Sequence, residues 1–293
     1  MAKLKGVVPP MITPFGEDGA IDFKALISLV EFLSGHVDGL FVTGSYGSGP
    51  LMSTEERKAV TSEAVRAAAG RIPIITMVGA ASTLETVELA RHAESAGAAA
   101  VAAVGPYYFK HDREALTRFF GSLVDAVHIP VYVYNNPRFQ GYPMAHDTIA
   151  ALKERGVYGV KDATFDILVH ADYQRSFAPD GFDVVLGTEA MWLSARVLGC
   201  EAFIPGLGNA FPELCRRLFR EGMEGDFHSC RTTQFLVNEL REVLALAPST
   251  QSAVYAMLEL RGIIAAGPRG PVLAATELEK RAIREALHRL NLL

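Results

Sequence analysis

Nowhere in the 293 residues does an apolar run approach the ~20 that a membrane-spanning helix needs. The start, MAKLKGVVPPMITPF, has no apolar core ahead of a cleavage site, so no secretory leader is expected and a cytoplasmic protein is predicted. Cysteine is scarce. Cys200, Cys215 and Cys230 are odd in number with no close pair, which excludes a disulfide framework or a CxxC metal knuckle and leaves small buried residues. Basic charge is not concentrated either: Lys+Arg 28 against Asp+Glu 33 gives a net charge of -5, with no basic block interleaved with aromatics. Nucleic acid is therefore not an expected partner. His36, His92, His111, His128, His146, His170, His228 and His288 fall mostly in predicted helices and loops without ligand spacing, and no HExxH occurs, so no catalytic metal is expected. The glycine-rich GSYGSGP lacks a following Gly-Lys-Ser/Thr and any G-x-G-x-x-G helix entry, which argues against a nucleotide loop.

What is present is one repeating unit. With 49% hydrophobic and 21% charged residues, the chain can bury one large core without a second domain. Short apolar strands at 4–11, 39–44, 72–79, 98–105, 129–135, 156–162, 182–187 and 200–206 alternate with helical stretches. Ser53 with Glu56, and Ser82 with Glu85, have capping-box spacing, while Gly70, Gly97, Gly156 and Gly199 stand where helices should stop. Eight parallel strands with crossover helices close as a (β/α)8 TIM barrel, typically about 250 residues long. The barrel is assigned to residues 1–223, and the continuous helical pattern of 224–293 to a C-terminal helical extension packed on it.

Reactive groups in such barrels come from the C-terminal strand ends. Here those ends carry Thr13, GSYGSG (44–49), GPYY (105–108), YNNPRFQG (134–141), KDAT (161–164), GTE (187–189) and PGLGN (205–209). The lysine in GVYGVKDAT closes an apolar strand, where the plain reading is an ammonium that reaches solvent or pairs with Asp162. Alternation argues otherwise. Val157, Gly159 and Lys161 share one face and Tyr132 and Tyr134 share another, so Lys161 and the Tyr134 phenol can meet inside the barrel, with Gly159 leaving space below. A lysine in a partly desolvated pocket loses its preference for the charged form and becomes an amine nucleophile toward carbonyls. Tyr132, Met191 and Trp192 are expected to be packing residues.

These segments, with GVVPPMITPFGEDGAID near the start and LRGIIAAGPRGPVL near the end, resemble in order and spacing the N-acetylneuraminate lyase and dihydrodipicolinate synthase superfamily of pyruvate-dependent class I aldolases. The resemblance covers nearly the whole chain. It implies that Lys161 forms an imine with a 2-oxo acid, that Tyr134 relays protons, and that Ser45 keeps the first hydroxyl of the strand-2 motif. It also implies that the backbone N–H groups of Ser45 and Tyr46 hold the substrate carboxylate, with Gly47 and Ile204 among the binding residues. One of Tyr107 and Tyr108 would reach a neighbouring subunit's site, Tyr108 being the catalytic candidate.

The departures bear on substrate. Tyr46 replaces a small hydroxyl residue and Ser48 replaces the usual glutamate, a loop similar to that of archaeal 2-keto-3-deoxygluconate aldolases. Synthases of the family carry an acceptor-binding arginine two residues after the proline of YN-x-P. That place is Phe139 here, and Arg138 comes one residue earlier, so Arg138 and Gln140 are only candidate acceptor contacts. The resemblance therefore implies an enzyme that cleaves or forms a carbon–carbon bond between pyruvate and an aldehyde, on a 2-keto-3-deoxy sugar acid or similar hydroxylated 2-oxo acid. The alternatives are 4-hydroxy-tetrahydrodipicolinate synthase, a dehydratase using the same imine, and a non-catalytic 2-oxo acid binder. The imine needs no metal or organic cofactor, and a homotetramer built as a dimer of dimers is expected.

Overall fold

The computed structural model describes residues 3–293. Short apolar runs form strands and capped amphipathic stretches form helices. In chain order these are β1 (Gly6–Val7), α1 (Phe23–Ser34), β2 (Leu40–Val42), α2 (Thr54–Ala68), β3 (Ile74–Met77), α3 (Thr83–Ser95) and β4 (Ala100–Val104). Then come α4 (Arg113–Val124), β5 (Val131–Asn135), α5 (Pro137–Gln140), α6 (His146–Glu154), β6 (Gly159–Asp162), α7 (Ile167–Ser176), β7 (Asp183–Leu186), α8 (Trp192–Val197) and β8 (Ala202–Phe203). Four helices finish the chain: α9 (Pro212–Glu224), α10 (Phe227–Val243), α11 (Thr250–Leu260) and α12 (Glu277–Arg289).

The strands run parallel in the order β1-β8-β7-β6-β5-β4-β3-β2. Between β1 and β2 the ring is closed by a parallel bridge from Pro10 to Phe41, where the Met11 N–H donates to the Phe41 carbonyl at 3.0 Å and the Phe41 N–H to the Pro9 carbonyl at 3.0 Å. Among the described residues no sheet edge is left open, and the fold is a (β/α)8 barrel with a C-terminal helical extension. The expected first strand over 4–11 shrinks to two residues because Pro9 and Pro10 have no N–H to give to a ladder.

Alternation along each strand sorts the side chains. Ala100, Ala102 and Val104 of β4 face the barrel interior beside Tyr132 and Tyr134 of β5, while Val101, Ala103, Val131 and Val133 pack outward under the helices. Small residues on one strand make room for the phenols of the next. Capping follows the sequence at α2, where the Ser53 hydroxyl accepts from the Glu56 N–H and the Glu56 carboxylate accepts from the Ser53 N–H. The second expected box fails: Ser82 makes no side-chain cap, because the Glu85 carboxylate instead accepts from the Thr54 hydroxyl at 3.1 Å and lies 4.0 Å from Arg57. Trp192 is packing, as expected, stacked on Phe203 at 4.8 Å between ring centroids. The cysteines are free and buried.

Residues of α10–α12, among them Val237, Tyr255 and Ile283, share one continuous core with Leu26 and Val30 of α1 and Leu214 and Leu218 of α9. The last helices also reach the barrel rim, where the Tyr255 hydroxyl donates to the Thr13 carbonyl at 2.5 Å and the Gln251 amide to the Ser45 carbonyl at 3.2 Å. Arg269 grips Glu56 through both carboxylate oxygens, at 2.6 and 2.9 Å, tying the tail to α2. No helix among the described residues is long and apolar enough to cross a membrane.

Candidate active site

The β5–β6 register sets Tyr134 directly beside Lys161. The Lys161 ammonium nitrogen lies 3.8 Å from the centre of the Tyr134 ring and 3.9 Å from that of Phe41, and the residue is only 4% exposed. Burial, uncompensated by any counter-charge, lowers its pKa to about 7, so a large share of the amine is free near neutrality. Asp162 does not neutralise it. The alternation of β6 turns that carboxylate to the opposite face, where it accepts from the Thr164 N–H at 3.0 Å and hydroxyl at 2.7 Å and pairs with the buried His170 at 3.1 Å. The sequence suggested that Gly159 leaves space below the pair, but that space is filled by another ring: a Cβ there would lie 2.7 Å from Tyr132 and 2.5 Å from the Asp183 carbonyl.

The Tyr134 phenol accepts from the Asn136 amide at 3.0 Å and is hydrogen-bonded to the Ser45 hydroxyl. Burial raises its pKa, so it stays a neutral phenol that can give and retrieve a proton. Ser45 is placed by a tight turn after β2 in which two non-glycine residues, Thr43 at φ +55° and Ser48 at φ +54°, are left-handed. For the β-branched Thr43 this is a strained state, and its hydroxyl holds it by donating to the Met77 carbonyl at 2.8 Å. Gly49 is required beneath, since a Cβ would fall 2.0 Å from the Thr43 carbonyl. The turn leaves the N–H groups of Ser45 and Tyr46 without an acceptor among the described residues, while the Gly47 carbonyl accepts from the Thr13 hydroxyl at 2.7 Å.

Over this turn opens a cavity of about 270 Å³. Of the residues expected from sequence, Ser45, Ser48 and Tyr107 line it, joined by Leu51, Phe139, Gln251 and Val272. Leu51, Gln251 and Val272 carried no signal in the sequence: a loop leucine, a helix glutamine and a valine after GPRGP look like ordinary packing or surface residues. Phe139 was visible only as the substitute for an arginine. Tyr46 turns away from the cavity toward β8, its hydroxyl bonded to Thr250 and its ring against Gly206. Gln140 is 1% exposed and its amide donates to the Asn135 side chain at 3.2 Å and the Tyr142 carbonyl at 2.6 Å, so it braces the β5 loop instead of facing the opening. Arg138 is exposed, with its guanidinium 5.3 Å above the Phe165 ring. Ile204 is buried in the barrel interior with Tyr134 and Phe41. Tyr108 projects outward, 89% exposed at φ +83°, and is not brought to Lys161 within the chain.

A parallel barrel holding a half-neutral lysine against a neutral phenol, with free backbone donors beside it, defines the class of Schiff-base lyases. The profile of the Dihydrodipicolinate synthetase family matches residues 3–290, and the chain belongs to that family. It is 35% identical over 293 residues to a 4-hydroxy-tetrahydrodipicolinate synthase of Bartonella quintana, covering 99% of each chain. It is 32% identical to a probable 2-dehydro-3-deoxy-D-pentonate aldolase of Escherichia coli, covering 98% of this chain and 97% of the other. Among solved structures, it matches YagE of Escherichia coli, a prophage protein of the dihydrodipicolinic acid synthase family in complex with pyruvate, with a TM-score of 0.95, 26% identity and full coverage of both chains. The chain is a lyase that acts through a lysine–pyruvate Schiff base.

Proposed function

We propose that Lys161 is the imine-forming amine, that Tyr134 with Ser45 moves the proton, and that the second substrate is an aldehyde without a carboxylate of its own. The observation that carries this reading is the Lys161 amine held between the Tyr134 and Phe41 rings with its pKa lowered to about 7. The neutral amine attacks the 2-oxo carbon, Tyr134 gives its proton to the departing hydroxyl, and water leaves, so that the imine is protonated and Tyr134 is a phenolate ready to take a proton. The resulting protonated imine draws electrons from the bond between the third and fourth carbons. As that bond breaks, its pair forms the enamine, the fourth-carbon hydroxyl gives its proton to Tyr134, and the aldehyde departs. Protonation of the enamine and hydrolysis then release pyruvate and restore Lys161. Condensation is the same path reversed. The N–H groups of Ser45 and Tyr46 offer donors for the pyruvate carboxylate, with Ile204 as an apolar wall.

An acceptor such as aspartate semialdehyde would bring a second carboxylate into the cavity. Phe139 stands in the wall where the synthases are expected to carry an arginine, and Arg138 leans on Phe165, which supports an aldolase on an uncharged acceptor over the synthase. The synthase remains the second reading, favoured by the 35% identical relative. A dehydratase would use the same imine and is separated by product analysis. The site is proposed to be completed in a homotetramer, with Tyr108 of one copy serving its neighbour.

Borohydride reduction in the presence of pyruvate tests the core of this proposal. The expected result is loss of activity with a three-carbon adduct on the peptide bearing Lys161. Tyr134→Phe should still form the adduct but lose cleavage by at least the ~10² that positioned acid–base catalysis supplies. An adduct on another lysine, or full activity in Tyr134→Phe, overturns the assignment.

A further inference from the structure

The cavity above the strand-2 turn is chemically drier than its mouth suggests. Its walls include Leu51, Met77, Val104, Phe139 and Val272, and no ionisable carboxylate, amine or guanidinium lines it. Its few polar groups are almost all committed. The Ser45 hydroxyl is bonded to Tyr134, and the Tyr107 phenol to the Ala81 backbone. The Gln251 amide donates to the Ser45 carbonyl, and its oxygen accepts from Thr250. Among the described residues lining it, Ser48, 3% exposed, alone has a side-chain oxygen with no partner.

We propose that this cavity selects an uncharged aldehyde with an aryl or branched-alkyl body carrying at most one hydrogen-bonding substituent, which Ser48 would meet. This rests on the proposed imine chemistry at Lys161 and deepens it by naming the acceptor class. A polyhydroxylated chain would trade several water contacts for one serine, each buried and unpaired hydroxyl being costly. An apolar body gains by leaving water in proportion to the area it buries against Leu51, Phe139 and Val272. In condensation, the enamine carbon derived from the pyruvate methyl attacks the aldehyde carbon. A carbon–carbon bond forms, the carbonyl π pair moves to oxygen, and that oxygen takes the Tyr134 proton. The iminium is then hydrolysed to release a 4-hydroxy-2-oxo acid bearing the apolar group.

The test compares condensation of pyruvate with benzaldehyde, 2-methylpropanal, glyceraldehyde and succinic semialdehyde, with the borohydride adduct measured on the same wild-type preparation. The expected result is a kcat/KM for benzaldehyde or 2-methylpropanal at least about tenfold above glyceraldehyde and higher still above succinic semialdehyde, in line with what one well-filled apolar pocket discriminates. Phe139→Ser should cut the aryl rate by about tenfold while changing the glyceraldehyde rate by less than threefold. If the adduct forms but glyceraldehyde or succinic semialdehyde is equal or better, the acceptor proposal is wrong and the imine chemistry stands. If no adduct forms at all, it is the underlying reading that fails. Equal losses for both aldehydes in Phe139→Ser would show a structural role for the ring and also overturn the proposal.

Discussion

Burying the Lys161 amine is a cost to the fold that the proposed imine chemistry would explain. With its pKa lowered from 10.5 to about 7, the unfolded chain binds a proton that the folded chain resists between those values. Stability therefore falls as pH drops through that window, and the full cost, on the order of 5 kcal/mol, applies below about pH 7. Lys161→Met should be more stable than the wild type at pH 7 in urea unfolding, with the gap closing toward pH 10.5. A gap independent of pH would mean that the amine is not held in its neutral form by burial. At this scale the placement was legible in the sequence, because alternation on two strands, with both faces turned into the barrel, set Lys161 beside Tyr134. The cavity wall was not, since Leu51 and Val272 sit in irregular segments whose side-chain direction no period dictates.

Elements hold the reactive strand in place. On the outer face of β6, Asp162 meets His170 of α7, a contact with both residues almost fully buried. Burial by itself would lower the imidazole pKa, but the hydrogen bond to Asp162, with Cys200 adding to it, outweighs that and raises it to about 9. A raised folded pKa stabilises fully below the ordinary 6.5 and loses its effect as pH climbs through about 9. His170→Ala should lose on the order of 3 kcal/mol more, relative to the wild type, at pH 6 than at pH 9.5, in thermal or urea unfolding. An equal loss at both pH values would mean that the ring only fills space. Element boundaries show why local sequence is an incomplete guide. The Ser53 box holds even though Arg269 also grips Glu56, whereas Glu85 was drawn across to Thr54 and Arg57 by tertiary contact. Proline shortened β1 in a way its apolar pattern did not reveal.

On the scale of the whole molecule, Tyr108 and Phe109 stand 89% and 68% exposed and pack edge to face at 5.0 Å between ring centroids. On the proposed assembly they meet a second copy. Tyr108→Ala should then lower kcat by at least about tenfold, and sedimentation should show weaker dimers or tetramers than the wild type. A monomeric wild type with full activity would remove Tyr108 from the mechanism. The hydrogen bond from Gln251 to the Ser45 carbonyl spans 206 residues of sequence, and the Tyr255 to Thr13 bond spans 242. A chain emerging from the ribosome therefore makes Lys161 well before it makes the helix that steadies the turn beside it. The half-synthesised chain carries its proposed nucleophile without a finished site, and on that reading a 2-oxo acid rewards correct folding only once the last quarter of the chain has arrived.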